Sequence, residues 1–410
     1  MPATFEQQGL RIGLVFHGPG GGGAERVILT LAEEFIARGI AVDLVMSHRE
    51  GSLRKNIPSK ANLIDISPTS RLKFRVNTLR GPFDVLQVLF RKRNQRHAIR
   101  HAPAISRYLR RWQPSAVIAA EIPYNLATLL AREWSGTRIP VILREGCDLG
   151  HYIASRKLHD REAYTRLIPR LYPRADALVA NSNGVSASIC RFADIEPDKL
   201  NVIYNPIVSD ALKSKAREPV EHPRITGKHA VIAVGRLHPQ KDYPMLLRAF
   251  ARLRAERPVK LMILGTGEKA EYREQLESIC KDHGLTSDVS FLGFVENPIA
   301  YMSRASLLAL SSTYEGLPTV LIEAMACGCP VVSTDCPSGP AEILDNGTYG
   351  PLVPVGDDLA FAKAMRDVLD NPPAPQILKS RAAMFSVEQS VNHYLALIES
   401  CINRSGKITA

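Results

Sequence analysis

The sequence predicts an α/β protein with two doubly wound domains, each a parallel sheet covered by helices. Three observations lead to this prediction. The chain has 410 residues, which is too long for one ordinary core. Short apolar runs alternate with amphipathic segments, which is typical of βαβ units. This alternation stops at a charged, proline-containing stretch and then begins again. We therefore assign residues 1–207 to a first domain, 208–228 to a linker, 229–375 to a second domain, and 376–410 to C-terminal helices that pack back on the first domain.

The first strand and helix flank a glycine-rich loop in RIGLVFHGPGGGGAERVILTLAEEF. Residues 12–16 predict a buried strand, and the apolar positions from Val27 to Ile36 recur at helical spacing until Gly39 ends the helix. The loop glycines fit the spacing GxGxxG. A strand, a glycine turn and a helix start together place unpaired N–H groups where an anion can bind. The alternative is a tight turn that needs glycine only for its backbone geometry.

The next strand argues against a dinucleotide site at this loop. Such a site needs an acid at the end of the second strand to hold the ribose hydroxyls. In IAVDLVMSHRE, Asp43 lies in the middle of the strand, and Ser47 and His48 stand at its end. A nicotinamide-dependent oxidoreductase is therefore the less favoured interpretation of the glycine loop.

A strongly basic segment, residues 71–111, follows. It holds twelve Lys and Arg residues against one acid, Asp84, in a chain of net charge +11. Within it, FDVLQVLFRKRNQRHAIR joins an apolar cluster to a basic tail, as helices on anionic membrane surfaces do. The alternative is a solvated basic helix whose apolar side faces the core. Aromatic residues do not interleave with the charges, so nucleic acid is not an expected partner.

Strand and helix patterns continue through both halves of the chain. In the first half they are SAVIAA with NLATLLARE, IPVILRE, ADALVANSNGVSASICRF and NVIYNP. After the linker they are AVIAVGRL, YPMLLRAFARLRAE, VKLMILGTG and KAEYREQLESICKDHG. Ligands of doubly wound sheets bind at the carboxyl ends of the strands, so two facing halves predict a cleft between the domains.

Two cations follow the first strand of the second domain in GRLHPQKDYPMLLRAF. Arg236 and Lys241 stand just beyond the strand and before a helix, where they are well placed to bind a diphosphate. Ordinary surface charges are the alternative interpretation of this pair.

The run LLALSSTYEGLPTVLIEAMACGCPVVSTD is the most informative one. A strand at residues 307–310 leads to Glu315, Pro318 fits the first position of a helix, and Glu323 lies two turns into that helix. The free amides near residues 316–319 form an anion-binding helix start. Two acids beside such amides predict neutral hydroxyls as partners of the acids, while amides and cations take the phosphates of the same ligand.

Composition indicates a soluble, cytoplasmic protein. No apolar run reaches the ~18 residues of a spanning helix, and the start MPATFEQQGLRIG lacks the regions of a signal peptide. Seven cysteines, an odd number and mostly within apolar runs, indicate reduced thiols. Cys327 and Cys329 in ACGCP lack the usual zinc spacing and are interpreted as small buried residues.

Together these pieces resemble the retaining nucleotide-sugar glycosyltransferases of the large family called group 1 or family four. The matching pieces are GGGGAERV, VIYNP, VGRLHPQKDY, LGTGE, FLGF and the E-x7-E run from Glu315 to Glu323, spread over nearly all of the chain. STDCPSGPAEIL is similar to members that build bacterial lipopolysaccharide, capsule, exopolysaccharide or lipid-linked oligosaccharides, commonly from UDP-sugars. The resemblance implies the GT-B fold, in which two Rossmann-like domains face each other across a cleft.

The resemblance also implies roles for particular residues. Arg236 and Lys241 would hold the donor diphosphate, Glu315 would contact the transferred sugar, and Glu323 would hold the ribose. Arg236, Lys241 and Glu315 are the expected catalytic residues. The other expected donor contacts are the loop glycines Gly20, Gly21, Gly22 and Gly23, the FLGF residues Gly293 and Phe294 beside the base, and the phosphate-facing turn Gly316, Leu317, Pro318 and Thr319.

One departure from the family pattern lies in the first domain. Many relatives place a histidine after the fifth strand, near a hydroxyl of the transferred sugar. Here that place reads VILREGCDLGHYI, with Arg144 and Glu145 at the expected position and His151 further on. We expect contacts to the sugar or the acceptor from these three residues; a plain loop histidine is the alternative for His151. His17, just after the first strand, is a further candidate.

The resemblance implies transfer of a hexosyl group from a nucleotide diphosphate sugar to a lipid-linked or polysaccharide hydroxyl, with retention at the anomeric carbon. The chain contains no Asp-x-Asp pair, so we expect no metal ion and no cofactor, with cations in place of a metal clamp. The expected partners are the donor, the acceptor and the inner face of the cytoplasmic membrane, reached through the basic segment. The alternative function is a noncatalytic nucleotide-sugar sensor or scaffold on the same fold.

Overall fold

The computed structural model describes residues 9–20, 22–67, 99–220, 230–267 and 270–406, and these residues form two compact units. Unit 1 comprises Met1–Pro206 with Gln389–Ala410, and unit 2 comprises Ile207–Glu388. Each unit has its own parallel sheet and its own hydrophobic core, as an alternation of strands and helices predicts.

Unit 1 contains a seven-stranded parallel sheet. Its strands are β1 (Arg11–Phe16), β2 (Ala41–Met46), β3 (Asn62–Asp65), β4 (Ala116–Ala120), β5 (Val141–Glu145), β6 (Ala177–Ala180) and β7 (Leu200–Val202). Their order in the sheet is β3-β2-β1-β4-β5-β6-β7. The central strands are near-continuous apolar runs because they are buried along their length, as in β4.

The helices of unit 1 begin and end where local chemistry favours it. Gly39 adopts φ +81° just after the first helix, and the Ser182 hydroxyl accepts a hydrogen bond from the Val185 N–H at the start of another. The helices are Gly23–Ala37, Ala102–Trp112, Ile122–Ser135, Leu149–Ala154, Leu158–Leu171, Asn183–Phe192 and, except for its first two residues, Val387–Arg404.

Unit 2 contains a six-stranded parallel sheet. Its strands are β8 (Ala230–Val234), β9 (Lys260–Leu264), β10 (Val289–Gly293), β11 (Leu307–Leu310), β12 (Val331–Thr334) and β13 (Leu352–Val353), in the order β10-β9-β8-β11-β12-β13. Its helices are Asp210–Arg217, Tyr243–Glu256, Ala270–Asp282, Pro298–Met302, Thr319–Cys327, Pro340–Ile343, Asp358–Asp370 and Pro375–Ala382.

The linker predicted at residues 208–228 contains a helix, Asp210–Arg217, which belongs to unit 2. Ser209 caps it by accepting a hydrogen bond from the Leu212 N–H, and the Leu212 side chain is buried. At its other end the Asn297 amide donates to the Lys215 carbonyl oxygen at 2.9 Å. The charged composition of this stretch therefore reflects the exposed face of a packed helix.

The C-terminal prediction needs a similar correction. Residues 376–388 group with unit 2, and only Gln389–Ala410 group with unit 1. The helix Pro375–Ala382 packs on the helix Thr319–Cys327, so closely that a Cβ on Gly328 would be 2.8 Å from the Pro375 Cβ. The packing of the helix Pro375–Ala382 on the helix Thr319–Cys327 places residues 376–388 in unit 2, and the sequence pattern does not reveal this packing.

Most of the basic segment, residues 71–98, lies outside the described residues. Its last part belongs to the helix Ala102–Trp112, which buries Ile105 and Leu109 and exposes Arg107 and Arg110. In this part the apolar side faces the core. Among the described residues, no helix has both the length and the apolar character that crossing a bilayer requires.

Candidate functional site

Two predicted catalytic residues form an ion pair at the carboxyl edge of the second sheet. Lys241 Nζ lies 2.5 Å from Glu315 Oε1, and the side chains are only 17% and 10% exposed. The Ser312 hydroxyl donates a second hydrogen bond to the same carboxylate oxygen at 2.7 Å. The structure thus joins the loops that follow β8 and β11, two adjacent strands, through the side chains that the sequence singled out.

The backbone around Lys241 is fixed by hydrogen bonds to the neighbouring loop. Lys241 ends a short 3-10 helix, Pro239–Lys241, and its carbonyl oxygen accepts from the Ser311 hydroxyl at 2.6 Å. The Gln240 amide donates to the Tyr314 carbonyl oxygen at 2.8 Å. Asp242, at φ +42°, then caps the helix Tyr243–Glu256. The HPQKD sequence therefore makes a rigid turn that holds the ammonium group in place.

Arg236 occupies a different environment in the same loop. Its side chain is exposed, and within the described parts of the chain it has no hydrogen-bond or ion-pair partner. Gly235, just before it, passes so close to Lys241 that a Cβ would be 3.0 Å from the lysine Cε. A Cβ on Gly265, at φ +145°, would overlap the Gly235 carbonyl oxygen. Beside these closely packed loops stand one exposed cation, Arg236, and one half-buried cation, Lys241.

The predicted phosphate-facing turn is buried and leads into a helix. Gly316, Leu317 and Pro318 are buried, and the helix begins at Thr319, with Pro318 at its N-cap rather than at its first helical position. A Cβ on Gly339, at φ +93°, would lie 2.7 Å from the Gly316 carbonyl oxygen, so the loop after β12 packs on the turn. The first amides of this helix have no acceptor within it and can bind an anion.

Glu323 lies just over one turn into that helix, not two turns as expected; the later start accounts for only one residue of this difference, and the expected count of turns was too large. Its side chain is buried, 6% exposed. At the far side of the sheet, Gly293 ends β10 at φ +70° and its carbonyl oxygen accepts from the Gly265 N–H at 2.8 Å. Phe294 follows with 66% exposure. All these predicted donor contacts therefore lie at the carboxyl edge of one sheet.

The glycine loop of unit 1 follows β1 and is packed against the loop after β2. At Gly18, which has φ +141°, a Cβ would overlap the His48 carbonyl oxygen. Gly20 and Gly22 lie against the Glu25 carboxylate, and Gly23 begins the first helix. Gly21 lies outside the described residues. The loop needs glycine for close packing, whatever it binds.

Asp43 is a structural residue of β2. Its buried carboxylate accepts hydrogen bonds from Arg11 Nη1 at 2.7 Å, Asn62 Nδ2 at 2.9 Å and the Tyr108 hydroxyl at 2.8 Å. Asp43 is therefore engaged by contacts within unit 1, and it does not serve as the ribose-binding acid that a dinucleotide site needs near the strand end.

Arg144 and Glu145, two of the expected sugar or acceptor contacts, lie in the interior of unit 1. Arg144 is 2% exposed and donates to the Asn205 side chain at 2.6 Å. Glu145 is 1% exposed and accepts from Asn125 and Tyr172. Burial raises the Glu145 pKa to about 7. Both side chains make their hydrogen bonds within unit 1, at the carboxyl end of β5.

His151 is the most exposed of the three expected first-domain contacts, with 43% of its side chain accessible. It lies in the helix Leu149–Ala154, and its ring Nδ1 is 3.1 Å from Asp148 Oδ1. Asp148 also caps the helix by accepting from the His151 N–H. Asp148 therefore fixes both the backbone and the ring of this histidine.

Sequence reasoning named His17 as a candidate but missed Glu121 and the polar network at the ends of β1, β2 and β4. His17 Nδ1 lies 2.9 Å from the Tyr124 hydroxyl, which is 2.6 Å from the Ser47 hydroxyl. Burial and the neighbouring His48 lower the His17 pKa. Glu121 stands beside this network at the end of β4. The sequence signal that could have pointed to Glu121 is an acid directly after the apolar run SAVIAA.

Comparisons with known proteins agree with this architecture. The family model described as glycosyl transferases group 1 matches residues 214–384, and that described as glycosyltransferase family 4 matches residues 21–211. The chain is 31% identical over 258 residues to the N-acetylgalactosamine-N,N'-diacetylbacillosaminyl-diphospho-undecaprenol 4-alpha-N-acetylgalactosaminyltransferase of Campylobacter jejuni, covering 63% of this chain and 68% of that protein. It is 27% identical over 268 residues to the lipopolysaccharide 1,6-galactosyltransferase of Escherichia coli, covering 64% and 67%.

Solved structures share the fold. Anabaena HepE in complex with UDP and glucose superposes with a TM-score of 0.73 at 20% identity, covering 95% of this chain and 100% of that chain. The lipopolysaccharide outer core galactosyltransferase WaaB gives 0.70 at 21% identity, covering 95% and 99%. With its two parallel sheets, its matched family models and its Campylobacter relative, the chain belongs to the group 1 glycosyltransferases and has the GT-B fold of two Rossmann-like domains.

Proposed function

We propose that this glycosyltransferase moves a hexosyl group from a nucleotide diphosphate sugar, with UDP-sugars as the first candidates, and retains the anomeric configuration. The acceptor is a lipid-linked saccharide or a polysaccharide of the bacterial cell surface. The observation that carries the proposal is the largely buried pair of the half-buried Lys241 with the buried Glu315, in the same loop region as the exposed Arg236, at the adjacent ends of β8 and β11. A diphosphate needs two cations and a sugar needs an acceptor for its hydroxyls, and this edge supplies both.

Electrostatic stabilisation of the leaving diphosphate is the proposed source of catalysis. Arg236, Lys241 and the amides of the turn at residues 316–319 bind the charge that grows as the bond to the sugar breaks. Because Lys241 is already fixed by Glu315 and its backbone contacts, little reorganisation is needed at that moment. Glu323 takes the ribose hydroxyls, Glu315 faces the transferred sugar, and Gly293 and Phe294 border the base. No metal ion or cofactor enters this scheme.

The relatives support the choice of substrates. The Campylobacter protein is named for an undecaprenol diphosphate-linked acceptor, and HepE was solved with UDP and glucose. A lipid-linked acceptor fits the proposed location on the cytoplasmic face of the inner membrane, with the basic segment as the contact to anionic lipid. The protein itself is proposed to be cytoplasmic and peripheral.

The test is nucleotide release from a panel of UDP-, GDP- and dTDP-sugars, with polyprenyl diphosphate-linked saccharides as acceptors. We expect acceptor-dependent release from one donor class, its loss in Lys241→Met, and its retention in the control Arg252→Ala, a surface arginine of unit 2 that pairs with Asp358. Product NMR shows whether the configuration is retained. Binding of the nucleotide without release by any donor would instead favour the noncatalytic sensor or scaffold.

A further inference from the structure

Glu121 stands at the topological switch point of the first sheet. The strand order β3-β2-β1-β4-β5-β6-β7 reverses between β1 and β4, and ligands of open α/β sheets bind in the crevice outside the strand ends at such a reversal. The glycine loop follows β1, and Glu121 follows β4 directly. The glycine loop and the Glu121 carboxyl group therefore both border this crevice.

The backbone at Glu121 is unusual. Its φ is +75° and its ψ is 136°, a conformation that glycine adopts readily and other residues rarely do. The Glu121 carbonyl oxygen accepts hydrogen bonds from the N–H groups of Tyr124 and Asn125, which hold the residue at the helix start. Strained residues of this kind concentrate at ligand sites, where the surrounding structure over-determines them. A carboxyl side chain thus occupies a position that glycine would fill with less strain.

The Glu121 carboxyl is also poorly satisfied by the protein. It accepts a hydrogen bond from the backbone of His17, and among the described residues no side chain donates to it. The neighbouring Tyr124, His17 and Ser47 side chains hydrogen-bond to one another instead. The contact with the His17 backbone uses only part of the hydrogen-bonding capacity of the Glu121 carboxyl, and the remainder can serve a ligand.

The electrostatics favour a neutral donor over an anion. Burial and the nearby Glu25 carboxylate, which lies against Gly20 and Gly22, raise the Glu121 pKa to about 8. The Glu25 carboxylate beside the glycine loop disfavours a phosphate, whereas the Glu121 carboxyl, mostly protonated near pH 7, keeps a carbonyl oxygen that accepts from a sugar hydroxyl. The cations suited to a donor diphosphate, Arg236 and Lys241, belong to unit 2. The hydroxyl at this edge of unit 1 is therefore one of the acceptor.

We propose that Glu121 is an acceptor-binding residue, whose carboxyl accepts a hydrogen bond from a non-reacting hydroxyl of the acceptor sugar at the β1–β4 switch point. This inference rests on the proposed transferase function. The contact orients the acceptor and takes no proton in the reaction, so the bond-making step stays with the reacting hydroxyl and the leaving diphosphate.

The experiment compares Glu121→Met, which keeps the side-chain length and removes both oxygens, with wild type, using the polyprenyl diphosphate-linked saccharide or p-nitrophenyl hexoside that gives the fastest wild-type transfer. We expect the acceptor KM to rise tenfold or more, while the donor KM and the UDP dissociation constant change less than twofold. Glu33→Met, at an exposed acid on the first helix, is the matched control and should behave as wild type. Glu121→Gly should show the same acceptor defect with an unchanged or raised melting temperature, because it relieves the positive φ.

Two results overturn the inference. An acceptor KM within twofold of wild type in Glu121→Met shows that the carboxyl does not bind the acceptor. Equal rises in the donor and acceptor KM, with a lower melting temperature in both variants, show a structural role only. Failure of the proposed function is distinguishable, since wild type would then release no nucleotide from any donor with any acceptor.

Discussion

Replacing Lys241 with Met should destabilise unit 2 strongly, and the structure gives the size of the effect. The change removes the ammonium group 2.5 Å from Glu315 Oε1 and keeps most of the side-chain volume. It leaves a carboxylate that is 10% exposed with the Ser312 hydroxyl as its remaining side-chain donor among the described contacts. Breaking a buried pair by removing one partner costs about 3 to 5 kcal/mol. Since both side chains keep some access to water, we expect about 3 kcal/mol.

The double variant Lys241→Met with Glu315→Gln separates stability from catalysis. The glutamine is neutral and still accepts from Ser312, so it should restore most of the lost stability, giving a coupling energy of about 2 kcal/mol. Nucleotide release should remain absent, because the cation that binds the diphosphate is missing. The control cycle on the exposed pair Arg273–Glu277 should give a coupling of about 0.3 to 0.5 kcal/mol.

The assay is denaturant unfolding followed by far-ultraviolet circular dichroism. Tryptophan fluorescence would report unit 1 alone, since Trp112 and Trp134 both lie there. A loss below about 1 kcal/mol in Lys241→Met, or no recovery in the double variant, would refute the reasoning. Lys241 would then not be held by Glu315 in solution.

Further predictions concern kinetics, pH, metals and membranes. Glu323→Gln should raise the donor KM about tenfold to a hundredfold with kcat nearly unchanged, because a charge-assisted hydrogen bond contributes about 1.5 to 3 kcal/mol; Glu315→Gln should lower kcat more than it alters donor affinity, and equal losses of affinity without a kcat effect would contradict this division. As pH rises from 4.5, the unfolded pKa of Glu145, to about 7, its folded pKa, the wild-type free energy of unfolding should fall by about 3 kcal/mol, because the folded state keeps the proton to higher pH. A pH series of unfolding curves for Glu145→Gln should lack this fall. The same pH dependence in wild type and variant would contradict it. Activity should persist in excess chelator, and a strict Mn²⁺ requirement would contradict the cation-based scheme. In sedimentation assays the protein should bind anionic vesicles at low salt, and added salt should weaken this binding. Replacing Arg91, Lys92, Arg93 and Arg96 together with Gln should also weaken it. Unchanged binding of this variant would assign the four residues to plain surface or core.

Local sequence signals predicted the strands and the second-unit loops well. The strand expected at residues 12–16 is observed as Arg11–Phe16, and that at 307–310 is observed with the same bounds. Buried apolar runs and glycine or proline boundaries are local properties, so they can be recognised without knowledge of the fold. The pairing of Lys241 with Glu315 follows from the same logic, because parallel strands in adjacent positions bring their end loops together.

Long-range packing explains what the sequence did not reveal. Arg144 appears to a sequence reader as a strand-end cation, but its partner Asn205 lies 61 residues away and buries it. Leu212 is the buried anchor of a helix within a stretch otherwise dominated by charges. The positive φ of Glu121 leaves no trace in residue type, because a glutamate is an unexpected occupant of that conformation.

The central claim is that the cations of unit 2 bind the donor diphosphate, and calorimetric titration of UDP and GDP tests it most directly. The titration is run on wild type, on Arg236→Ala and on the surface control Arg252→Ala. We predict that wild type and the control bind one of the two nucleotides equally well within twofold. Arg236→Ala should weaken that binding about tenfold to a hundredfold, as expected for the loss of a charge-assisted contact. Equal affinity in all three proteins, or no binding of any nucleoside diphosphate by wild type, would contradict the account.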